Sequence, residues 1–150
     1  MLTSAIVAYF HYFSFLLATA ALVVETLTLK ENLERSEAWR IVIADAIYGI
    51  AAIGVLATGI LRVLYFGQGS EFYTHNPVFW VKVGLYILIG ALSLFPTISF
   101  LLWIPGLQKE ETPQPTPQRV GQLQWVIRSE LAGFGIIPLF AALMARGIGL

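Results

Sequence analysis

Four long apolar stretches alternate with three short polar ones along this chain. The apolar stretches run from about Leu2 to Leu29, Trp39 to Phe66, Pro77 to Trp103 and Val120 to Gly147. Each is at least the ~20 residues that an α-helix needs to cross a hydrocarbon core of ~30 Å. The fourth is interrupted by Arg128 and Glu130 and is cleanly apolar only from Leu131 to Ala145. Snorkelling arginines extend it, and Pro138 inside it predicts a kink. The polar stretches are short, which predicts antiparallel neighbours. The first runs over 30–38. The second, 67–76, carries turn-forming glycines and Asn76-Pro77. The third, 104–119, holds Pro113, Pro115 and Pro117 and reads as an extended, mobile linker. The fold class is therefore all-α: an integral-membrane, antiparallel four-helix transmembrane bundle forming one domain over 1–150. No basic segment precedes the first apolar run, so that run reads as a retained helix rather than a signal peptide.

Composition supports the class and removes several functions. Hydrophobic residues make up 57% and charged residues 12%, the latter about half the soluble average. The formal net charge is zero, which gives no reason to expect a nucleic-acid partner. With no cysteine there is no disulfide, thiolate metal site or cysteine nucleophile. His11 and His75 are the only histidines, too few for a classical zinc site. No phosphate-cradling glycine loop, GxSxG or HExxH occurs, and 150 residues leave no room for a separate soluble catalytic domain.

The charges inside the apolar stretches are the candidate chemistry. A charge at membrane depth costs ~2.5–3.5 kcal/mol on insertion scales, so it calls for a partner or a function. Basic residues gather at the first and third loops (Lys30, Arg35, Arg40; Lys109, Arg119, Arg128), which predicts both termini outside the cytoplasm of a multi-pass bacterial inner membrane, plasma or thylakoid. Depth then follows from 1.5 Å per residue. His11, Arg62, Lys82 and Arg146 fall in an outer layer, and Glu25, Asp45, Arg128 and Glu130 in an inner one.

The inner layer can neutralise itself, for instance by Arg128 with Asp45 or Glu25, and reads as mainly structural. The outer layer has no acid at its own depth, Glu71 in the second loop being the nearest candidate, and buried cations need counter-charges or acceptors. Lipid phosphate, a carboxylated ligand or a deprotonated lysine would each answer that need. Blander readings stand beside these. Lys82 can snorkel outward, Arg62 and Arg146 can anchor at the interface, and His11 can simply bond a neighbouring helix. His75 reads as an exposed loop residue. His11, Ser14, Ala18, Ala21 and Glu25 share one helix face, and Gly49, Ala52 and Gly59 offer a facing seam on the second helix.

Two resemblances attach to these residues. The segments Leu61-Arg62-Val-Leu-Tyr65, Phe72-Tyr-Thr-His-Asn-Pro77, Phe79-Trp-Val-Lys82, Ser93-Leu-Phe-Pro-Thr97 and Pro138-Leu-Phe-Ala-Ala-Leu-Met-Ala-Arg-Gly147 resemble a family of small bacterial membrane proteins of unknown function, frequent in cyanobacteria. That likeness covers nearly the whole chain and implies no activity. More distantly, helix one with His11 and helix three with Trp80-Val-Lys82 are similar in layout to the HemJ-type protoporphyrinogen oxidases, small haem-binding membrane proteins. That likeness implies His11 as haem ligand or catalytic histidine and Lys82 as an essential lysine. The family's further basic and histidine positions are not evident after helix one, and Phe95-Pro-Thr97 stands where a histidine often follows. The leading expectation is an outer pocket for an anionic, largely apolar molecule. Haem or another tetrapyrrole would suit it, with catalytic roles for His11 and Lys82, iron on His11, and carboxylates on Arg62, Lys82 and Arg146. The alternative is a non-enzymatic accessory or assembly subunit packed against a larger membrane complex, and a homo-oligomer is a separate expectation about partners. A small transporter has less behind it, because no inverted repeat is visible.

Overall fold

The computed structural model describes residues 1–149. The described residues form helices and connections without a strand: α1 (Leu2–Thr28), α2 (Arg35–Leu61), a π-helical turn (Arg62–Phe66), α3 (Ser70–Thr74), α4 (Pro77–Leu101), α5 (Ile104–Gln108) and α6 (Pro117–Ala145). Four helical segments, Leu2–Thr28, Arg35–Phe66, Pro77–Gln108 and Pro117–Ala145, are long and apolar enough to cross a membrane. Their outward faces are apolar, with Leu16, Ile50, Ile53, Leu88 and Leu139 among the exposed side chains. Such a surface is at home in lipid, where helices satisfy their own backbone. The chain is a multi-pass helical membrane bundle.

Local chemistry sets the helix starts. Asn76 Oδ1 accepts from the Val78 amide (2.9 Å) ahead of α4, and Thr116 Oγ1 accepts from the Arg119 amide (3.2 Å) ahead of α6. In both cases proline follows the cap at the first helical position, where its missing N–H costs nothing. The Glu37 carboxylate accepts from the Glu34 amide (2.9 Å) and pairs with Lys30 (2.7 Å), so α2 begins at Arg35, not at Trp39. The 104–119 stretch also differs from the expected extended linker. It contains α5 and the first turn of α6, and Leu107 is fully buried, its carbonyl accepting from Arg35 Nη2 (3.0 Å).

The two ends of the bundle are tied separately. At one end Ser4 Oγ donates to the Phe66 carbonyl (2.7 Å) and Asn76 Nδ2 to the Ile148 carbonyl (3.3 Å). This end holds both termini and is called the terminal end. At the opposite end Gln124 Nε2 donates to the Leu29 carbonyl (3.0 Å). These ties fix an up-down-up-down path. α1 packs most extensively on α2, and α4 on α6.

Glycines let the pairs approach closely. A Cβ at Gly54 would stand 2.7 Å from Ser14 Oγ, and one at Gly59 would stand 3.4 Å from His11 Cε1. Gly49, expected on this seam, faces open space instead. On the other pair, a Cβ at Gly133 would collide with the Ile89 side chain. At mid-bundle Phe134 gathers one ring from each of the other long helices: Phe15 (5.0 Å), Tyr48 (6.1 Å) and Tyr86 (6.4 Å) between centroids. The Tyr86 hydroxyl donates to the Ala52 carbonyl (2.6 Å), joining α4 to α2.

Candidate functional site

The aromatic plug divides the interior charges into two layers of opposite sign. Toward the terminal end, α1 presents His11, the α2 end presents Arg62 at the first residue of the π turn, and α4 presents Lys82. Arg62 and Lys82 are both within electrostatic reach of the His11 ring and of each other. All three are half-buried. The Arg62 guanidinium lies over the Tyr12 ring, 5.1 Å from its centroid, and Lys82 Nζ lies 5.4 Å from that of Phe79. Both are cation–π distances. No acid joins them: the ion pairs among the described residues are Lys30–Glu37 and Arg35–Glu110, both at the opposite end.

Hydrogen bonding settles the His11 tautomer in its neutral form. The Thr58 hydroxyl has one hydrogen, directed to the Gly54 carbonyl one turn back. The 2.9 Å contact to His11 Nδ1 therefore has Nδ1–H donating and Thr58 Oγ1 accepting. Nε2 keeps its lone pair, available to a proton, a donor or a metal. Thr58, Tyr12 and Phe79 are the supporting residues that sequence reasoning missed. Thr58 alone carried a signal, lying one turn before Arg62. The π turn at Arg62 widens the helix where its side chain leaves α2, and such turns recur at functional sites.

Arg146 stands apart. It is the exposed C-cap of α6, at the same end, without a hydrogen bond or ion pair to His11, Arg62 or Lys82. His75 is exposed and bonds the Glu71 carbonyl through Nδ1 (2.9 Å) within α3's own turn.

The acidic layer differs from its expected self-neutralised form. Arg128 is exposed and pairs with none of the acids, so neutralisation of Asp45 or Glu25 by Arg128 is not what the bundle does. Glu25 is 1% and Glu130 0% exposed, and none of their four carboxyl oxygens has a hydrogen-bond partner. Asp45 is also buried, accepting from Thr97 Oγ1 at 2.8 Å. The missing pair is a matter of helix rotation, since Arg128 faces outward on α6 while Glu130, two residues on, is enclosed. Because α2 begins at Arg35 and α6 at Pro117, Asp45 is ~15 Å and Glu130 ~20 Å along their helices, both deep in the bundle.

Among the described residues, two cavities lie outside the basic layer. A groove of about 180 Å³ runs between α2 and α4, lined by Tyr48, Ala52, Leu56, Tyr86, Ile89 and Ser93 among others. A wider depression of about 440 Å³ lies at the opposite end by Lys30, Asn32, Pro117 and Gln124. Neither reaches His11. One imidazole and two cations are the donor types that an iron and two carboxylates would call for, and neither of these cavities adjoins them.

A family model described as "Predicted membrane protein (DUF2214)" matches residues 3–149. No curated protein and no solved structure matches the chain.

Proposed function

The chain belongs to the DUF2214 family of predicted membrane proteins, and from that premise we propose that it binds an anionic amphiphile at its basic layer. One observation carries this reading: Arg62 and Lys82 converge on His11 in a half-buried layer, and no acid among the described residues pairs with either cation. An external phosphate or carboxylate supplies the missing charge, bound by the fork of Arg62 and the ammonium of Lys82. The apolar part of the ligand lies along the exposed Tyr12 side of α1, where the Arg62 guanidinium sits 5.1 Å from the ring centroid.

A tetrapyrrole is the member of this class that also uses the imidazole. Arg62 and Lys82 would hold its propionates, and His11 would hold the iron of a haem. When bound, such a group supplies the redox chemistry. The chain's part is to hold His11 as the Nδ1–H tautomer through Thr58, to fix the carboxylates, and to keep water from the ring by the Tyr12 and Phe79 faces. Arg146 adds charge at the membrane edge without touching the site.

The test compares protoporphyrin with its dimethyl ester on the purified protein in mild detergent. The diacid should bind and the ester bind at least tenfold more weakly, with Arg62→Met and Lys82→Met closing the gap. Added haem should give a Soret band that His11→Ala removes. Equal binding of diacid and ester, indifferent to Arg62 and Lys82, would end the proposal.

A further inference from the structure

We propose that Glu25, Asp45 and Glu130 form a proton-binding site inside the membrane domain, separate from the basic layer. Three helices contribute, one carboxyl each from α1, α2 and α6, and each acid is within electrostatic reach of the other two. An acidic cluster alone would say little. Here Glu25 and Glu130 are almost wholly enclosed, Glu25 without any hydrogen-bond donor and Glu130 with only the neutral Tyr48 hydroxyl facing it, short of hydrogen-bond geometry. An ionised carboxylate in such a position would be deeply unfavourable without a positive partner.

The packed elements supply none. α2 brings Asp45 and the Tyr48 hydroxyl, which faces Glu130 and Ser93. α4 brings Ser93 and Thr97, the latter already bonded to Asp45. The nearest arginines are engaged or turned away. Arg119 donates to Ser99 Oγ (2.9 Å) and lies 4.4 Å over the Phe95 ring. Arg35 is held by the Leu107 carbonyl and Glu110, and Arg128 is exposed. The basic layer is out of range. From Glu25 to His11 along α1 is ~21 Å, with the aromatic plug between.

The neutralising cation must therefore come from outside. A metal ion needs several ligands converging at fixed distances, and among the described residues no three acidic or imidazole groups do so. A proton needs one oxygen and no coordination shell. It adds to a carboxylate oxygen to give the neutral acid and leaves by the reverse step, with no other reactant. The Tyr48 hydroxyl, which faces Glu130 and with Ser93 lines the groove between α2 and α4, is the polar group through which a proton would reach Glu130.

Infrared spectroscopy of the full chain in lipid nanodiscs tests this directly. At neutral pH the wild type should show the carbonyl band of un-ionised carboxylic acids, shifted in heavy water and insensitive to sodium, potassium or calcium. Glu25→Gln and Glu130→Gln should each lower that band, and the triple variant with Asp45→Asn should lose it. Glutamine is a neutral isostere, so both single variants should melt near the wild type. If one fails to fold, Asp45→Asn gives the same spectroscopic reading, because its amide oxygen still accepts from Thr97. Carboxylate bands alone at neutral pH, a carbonyl band untouched by all three substitutions, or carboxylate bands that move with an added metal ion would each overturn the proposal.

Discussion

Gly133→Ala is the sharpest test of how α4 and α6 meet. A Cβ at this position would overlap the Ile89 side chain, standing 2.8 Å from its Cγ1 and closer still to its Cδ1. Ile89 is 3% exposed and its one open side is the groove between α2 and α4 that it lines, so relief requires its side chain to shift into that groove. Overpacking of this kind costs ~1–3 kcal/mol. Gly135, two residues on, has nothing within 4 Å of its would-be Cβ, and Gly135→Ala should gain about 1 kcal/mol of helix propensity. Both substitutions share that propensity gain, so their difference isolates the overpacking, ~1–3 kcal/mol in favour of Gly135→Ala. Reversible unfolding in mixed micelles measures it. Ile89→Ala should cost ~2–5 kcal/mol alone. Combined with Gly133→Ala it should cost less than the sum, a coupling of ~0.5–3 kcal/mol. Equal stabilities for the two glycine variants, with no coupling to Ile89, would show that α4 and α6 do not interlock here.

Three further outcomes follow from named contacts. Nitrogen NMR of labelled His11 at a pH where the ring is neutral should show hydrogen on Nδ1, and Thr58→Val should release a tautomer mixture; a wild-type ring protonated on Nε2 instead would reverse the Thr58 bond. Thr97→Val leaves Asp45 Oδ1 without its donor inside the bundle and should destabilise by ~1–3 kcal/mol, whereas an unchanged unfolding midpoint would place Asp45 in contact with water. Gly67→Ala drives a Cβ into the Arg62 carbonyl and the Tyr73 hydroxyl, so it should disturb the π turn and weaken porphyrin binding; binding and melting both equal to wild type would mean the turn relaxes freely.

The membrane class and the four crossings were plain in the sequence, because runs of this length and apolarity have few other solutions. The grouping of His11 with Arg62 and Lys82 was also legible, since depth depends only on residue count and helix direction. Helix ends were harder. Arg35–Glu37 looks like loop until Glu37 is seen accepting the Glu34 amide, and Thr116-Pro117 is a helix start set among prolines that suggested an extended chain. Those few residues mattered, because they put Asp45 about 15 Å along α2 and Glu130 about 20 Å along α6. Helix rotation was not legible at all. Gly54 rather than Gly49 meets α1, and Arg128 faces outward two residues from the enclosed Glu130. Both facts depend on which face of each helix the others cover.

Native mass spectrometry of the protein released gently from its own membranes tests the central claim that an outside anion fills the basic layer. The wild type should retain a bound amphiphile bearing phosphate or carboxylate, and the Arg62→Met, Lys82→Met double variant should fly without it. A wild type that carries no such ligand, or a ligand retained equally by the double variant, would contradict the account.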